Sequence, residues 1–140
     1  MKDQFVDHNS LSDQDFEDAF ENCTLPPQLF SHEAHLRLAW IKIKKYGLQD
    51  AESIIQNQLE AYVKHHGAQD KYHVTLTVAA VKIVDHFMQR STTKEFNELL
   101  VEFPRLKNNF KELILSHYKG DVFNSDEARS VYLEPTIQSF

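Results

Sequence analysis

Three histidines stand where a helical chain would bring them together. His32 and His35 lie within Phe30-Ser31-His32-Glu33-Ala34-His35-Leu36-Arg37-Leu38-Ala39-Trp40, and His73 follows in Asp70-Lys71-Tyr72-His73-Val74-Thr75. Imidazole nitrogen suits zinc, iron or nickel, and three histidines that leave one position open are the usual catalytic arrangement, with water in the remaining place. Two histidines spaced i,i+3 share one helix face and can share an ion. The leading expectation is therefore a small metal-binding protein with His32, His35 and His73 as ligands of a divalent transition metal. If it is an enzyme, a metal-bound water or dioxygen would fill the open position. His32-Glu33-Ala34-His35 is one residue too short for the zinc-protease signature, so Glu33 is given no catalytic role and is expected to point away from the site.

The same residues support a second chemistry. Two parallel helix N-termini present free amides and positive dipole ends, and with Lys71, Arg37 or a protonated histidine nearby they favour a carboxylate or phosphate. Those dipoles oppose a bare cation. The competing expectation is a metal-free binding module for a small anionic ligand, and a third is a structural dimerising bundle. Each histidine taken singly reads as a cap or a half-buried group bonded to backbone. His86 and His117 are read that way, and His8 as a solvated histidine of the tail.

Helices must position these residues. Ser12 opens the first, which ends near Asn22 because Pro26-Pro27 removes amide donors and disfavours helical geometry before it. Ser31 caps the second, with His32, Leu36, Ala39 and Ile43 on one stripe and His35 beside them, and Gly47 stops it after Tyr46. The third is expected over 49–66, with Ile54, Ile55, Leu59, Tyr62 and Val63 on its apolar face. Asp70 is read as the cap of a fourth over 71–90, where His73, Leu76, Ala80, Ile83 and Phe87 form the inward stripe. A fifth is expected from a Ser91-Thr92-Thr93 cap to Phe103, a sixth from Pro104 to about Tyr118, and a last short one over 125–132. Trp40 and Tyr72 are read as packing groups, and Cys23 as a small, partly buried thiol.

Short connections make neighbouring helices antiparallel, so the second and fourth run the same way with the third returning between them. That topology gathers His32, His35, His73, His65 and His66, five of the eight histidines, at one end of the bundle. Arg129 and Glu134 are expected to tie the C-terminal segment back as a charge pair. The alternative is a lid, with Tyr118 or Tyr132 reaching into the site.

The composition narrows the classes. Among 140 residues, 15 basic and 21 acidic side chains give a net charge of −6, and apart from Lys42, Lys44 and Lys45 the basic ones are scattered. That is not the footprint of a nucleic-acid binder. The lysine cluster reads as a solvated helix end opposing the dipole. One cysteine precludes an internal disulfide, and no stretch approaches the ~20 apolar residues that span a bilayer. The expectation is a cytoplasmic, single-domain, all-α up-down bundle of five to seven helices over residues 12–140, preceded by a flexible tail over 1–11.

Phe30-x-His32-x-x-His35-Leu36-x-x-Ala39-Trp40, then Lys71-Tyr72-His73-x-Thr75-x-Thr77 and Ser125-x-x-Ala128-Arg129, resembles a family of small, uncharacterised bacterial all-helical proteins. The likeness runs over most of the chain from Phe30 onward. It implies that His32, His35 and His73 are grouped, without implying a reaction. This chain departs from the pattern at Val74, where an acidic residue is common.

Overall fold

In the computed structural model, which describes residues 7–140, every regular element is helical. Eight α-helices follow one another among these residues: α1 (Asp13–Glu21), α2 (His32–Tyr46), α3 (Leu48–His65), α4 (Val74–Met88), α5 (Phe96–Glu102), α6 (Arg105–Asn108), α7 (Phe110–Leu115) and α8 (Asp126–Ser130). Serine hydroxyls cap three of them as the sequence predicts, Ser12 accepting from the Asp15 amide, Ser31 from Ala34 and Ser125 from Ala128. Gly47 turns α2 into α3 within one residue, at a φ of +84° that only glycine adopts without strain.

Helices α2, α3 and α4 pack against one another and form the centre of the fold; α1 lies on α2 and α3, and α8 on α4. The first turns of α2 and α4 and the last turn of α3 meet around one cavity, so α3 runs opposite to its neighbours. Between them Leu36, Ala39, Ile55, Leu59, Tyr62, Ala79 and Ile83 are buried. Phe20 of α1 stacks obliquely on Phe30 and Tyr62, each with ring centroids 4.9 Å away.

Several boundaries differ from expectation, each for a local reason. Residues 69–71 form a separate 3₁₀ turn, Tyr72 is extended, and the cap of α4 is the His73 ring, not Asp70. Ser91 is spent on its own turn, bonding Thr93 and Glu102, so α5 begins only after Glu95. The expected sixth helix is two, because Asn109 leaves helical geometry at φ −134°, ψ 36°.

Two polar groups expected in solvent are instead buried. Lys42 is fully enclosed, its Nζ donating to Glu17 and Glu21 at 2.6 Å each, and Lys45 reaches Glu17 at 2.8 Å. The reason is that α1 covers this side of α2, so the stem of Lys42 packs as an apolar group while its head meets two carboxylates one turn apart. Burial alone would raise the Glu17 carboxyl, but the hydrogen bonds and charges of Lys42 and Lys45 outweigh it and hold it below its usual 4.5. His8 is the second case, with 2% of its surface exposed. The buried Arg37 donates to the His8 and Leu11 carbonyls at 2.7 and 2.8 Å and to Asp13 at 2.8 Å, which pins residues 8–11 across α2. The remainder of the expected tail, residues 1–6, lies outside the described residues.

Candidate functional site

The first turns of α2 and α4 and the last turn of α3 enclose a cavity of about 390 Å³. Its floor is apolar, from Leu36, Ala39, Ile55, Leu59, Ala80 and Val81, and its polar lining gathers His32, His35, His66 and His73 with Lys71, Tyr62, Tyr72 and Thr77. Four of the five histidines expected at this end therefore border one space. The fifth, His65, packs edge-on against His66 with centroids 4.9 Å apart.

His73 is held on both sides. Its Nε2 donates to the Val122 carbonyl at 3.0 Å, and its Nδ1 accepts the Leu76 amide at 3.1 Å. One ring thus closes the open end of α4 and ties that end to the segment before α8, which fixes it as a neutral imidazole protonated on Nε2. Burial lowers its pKa below 6.5, outweighing the bond to Val122 that raises it, and the nearby Arg129 charge pushes the same way as burial.

His32 sits at the rim, its Nε2 donating to the Leu106 carbonyl at 3.1 Å and its ring tilted against Phe110 at 5.0 Å. His66 similarly donates from Nε2 to the Cys23 carbonyl at 3.1 Å.

His35 differs from all of these. It stacks on Phe30, with centroids 3.8 Å apart and planes 22° from parallel, and among the described residues neither ring nitrogen has a hydrogen-bond partner. The residue keeps a large accessible surface, and it borders the cavity. Burial pushes its pKa down to about 4, with the His32 charge acting in the same direction. At neutral pH it therefore offers the cavity one N–H donor and one nitrogen acceptor.

The charge around this space is one-sided. Among the described residues no Asp, Glu or Cys lines it, whereas Lys71 does, and Lys71 makes no ion pair with any of them. The N-termini of α2 and α4 add partial positive charge. Glu33 faces elsewhere, as expected, bonding Lys107 and His8 at 3.1 Å each. Arg37, a candidate cation in the anionic reading, is spent on Asp13 and the His8 and Leu11 carbonyls.

These bonds bear on the metal expectation. Among the described residues no three His, Cys, Asp or Glu side chains are placed to hold an ion. A metal would need His73 to give up a helix cap or a carbonyl, and it would sit beside Lys71 with no carboxylate to balance its charge.

The sequence reading missed Phe110, which closes the rim beside His32. No local signal marks it, since it reaches the cavity through the break at Asn109. Tyr72 does not donate into the site; its hydroxyl bonds the Gln56 carbonyl at 3.3 Å. Tyr118 bonds the Leu133 carbonyl at 2.8 Å, and neither it nor Tyr132 lines the cavity. Among the described residues no helix is long and apolar enough to cross a membrane. No family model matches the chain, and no curated protein or solved structure matches it either.

Proposed function

We propose that this chain is a binding module for a small amphipathic organic acid. The apolar body of the ligand occupies the space among α2, α3 and α4, and its carboxylate lies at the mouth beside His35 and Lys71. The observation that carries this reading is the lining: apolar side chains with a polar portion of histidines, tyrosines, a threonine and a lysine, and no acidic group among the described residues. A cavity of about 390 Å³ is of the size that holds small ligands, and a few polar groups are what orient them; here these are His35 and Lys71, since His32, His66, His73, Tyr62, Tyr72 and Thr77 are bonded to backbone. The unpartnered His35 ring supplies the hydrogen bond, and Lys71 with two helix N-termini supplies the sign preference.

Calorimetric titration of EDTA-treated protein with octanoate, and with 1-octanol as an uncharged match, tests this. Octanoate is expected to saturate one site, to bind more tightly than 1-octanol, and to weaken with rising salt. Absence of saturable binding contradicts the proposal. Octanoate binding that appears only when zinc, iron or nickel is restored would move His32 and His35 back to the metal reading.

A further inference from the structure

Lys71, which lines the cavity, has both neighbouring carbonyls bonded by a residue from far along the chain. Arg129 of α8 extends Nη1 to the Asp70 carbonyl at 2.8 Å and to the Tyr72 carbonyl at 3.2 Å, the two that flank Lys71. Arg129 was expected to pair with Glu134, but its hydrogen bonds go to this backbone instead. Three further bonds reinforce the same junction. His73 donates to the Val122 carbonyl at 3.0 Å, and the fully buried Thr75 donates to the Val131 carbonyl at 2.8 Å while accepting the Leu133 amide at 3.0 Å. The anchor itself is firm: Ala128 has none of its surface exposed, and Ser125 caps the short helix that presents Arg129.

We propose that Arg129 is a positioning residue for charge recognition: by gripping both carbonyls around Lys71 it holds the Lys71 ammonium at the cavity mouth, and thereby sets the preference for a carboxylate over a neutral head group. This inference rests on the binding reading above. The physical case is that residues 69–71 are only a 3₁₀ turn, and Lys71 is exposed, with no ion pair of its own among the described residues. A long flexible side chain on such a turn contributes directed charge only if its backbone is fixed. The guanidinium fixes it by two charge-assisted hydrogen bonds to neutral carbonyls, stronger than neutral pairs.

A double-mutant cycle read with octanoate and 1-octanol isolates this role. Lys71→Gln is expected to weaken octanoate about fivefold, the size of one partly exposed charge contact, and to leave 1-octanol unchanged. Arg129→Gln is expected to do the same, the double variant to be no weaker than either single one, and Arg129→Lys to recover part of the loss. Arg129→Gln that binds octanoate as the wild type does, or weakens both probes equally, or multiplies with Lys71→Gln, overturns the inference while the binding reading stands. Wild-type protein that does not prefer octanoate to 1-octanol overturns both. Should Arg129→Gln fail to fold, Arg129→Lys decides, since a partial loss confined to octanoate supports the role and unchanged octanoate binding removes it.

Discussion

His8 and His73 solve the same problem in the same way. Each buried ring donates from Nε2, to Glu33 or to the Val122 carbonyl, and each turns an unprotonated Nδ1 toward a donor, Arg37 or the Leu76 amide. A second proton would face that donor. Burial lowers both pKa values from 6.5; the Arg37 charge assists at His8 against the raising pull of Glu33, and the Arg129 charge assists at His73 against the raising bond to Val122. Because the folded values lie below the unfolded one, their contribution is complete above pH 6.5. As pH falls below that point the unfolded chain takes up protons first, and stability is lost until the folded rings also protonate. The thermal midpoint should therefore drop between about pH 7 and about pH 5, and the slope should lessen in a His8→Gln, His73→Asn variant, the remainder coming from His35 and His86, whose values are also lowered. A midpoint unchanged over that range would contradict this assignment of the rings. Glu17 and Glu33 are held below 4.5, so losses from those carboxylates begin only at lower pH. At His35 the free nitrogens predict a different outcome: alanine there should weaken octanoate by roughly tenfold, the size of one hydrogen bond to a charged group, measured by calorimetry. Unchanged affinity would remove His35 from the site.

Local signals placed the helices and left the contacts between them unread. Ser12, Ser31, Gly47 and Ser125 act on neighbours within four residues, and each performs the role its type suggests. The grouping of His32, His35, His66 and His73 was likewise legible, because helix period and short connections suffice to place them at one end. What each imidazole does there was not. The partners of His32 and His73 are carbonyls 74 and 49 residues away, which no local pattern encodes. Lys42 was misread for the same reason, since a lysine near a helix C-terminus looks solvated until α1 is laid over it. That burial has a measurable consequence. Lys42→Met leaves Glu17 buried with only the surface-reaching Lys45, and should lower stability by about 3 kcal/mol, as for other broken buried pairs, seen as a shifted urea midpoint. Adding Glu17→Met should recover part of that loss by removing the stranded carboxylate. A neutral effect of Lys42→Met alone would show that the carboxylates find other partners.

The fold converges on one end. Three long helices make an apolar space and bring two N-termini to its mouth; the segment over residues 8–11 is latched to α2 by Arg37, and α8 is latched to the start of α4 by Arg129. Among the described residues the acidic side chains of this net-negative chain are kept off that cavity. The most direct measurement is the location of the bound probe. Carbon-edited NOE spectra of isotope-labelled protein with unlabelled octanoate should show the alkyl chain against the methyl groups of Leu36, Leu59, Leu76 and Ala80, with shifts of the His35 ring signals on saturation. Octanoate contacts confined to exposed side chains such as Val101 and Ile137, or no saturable contacts among α2, α3 and α4, would contradict the account.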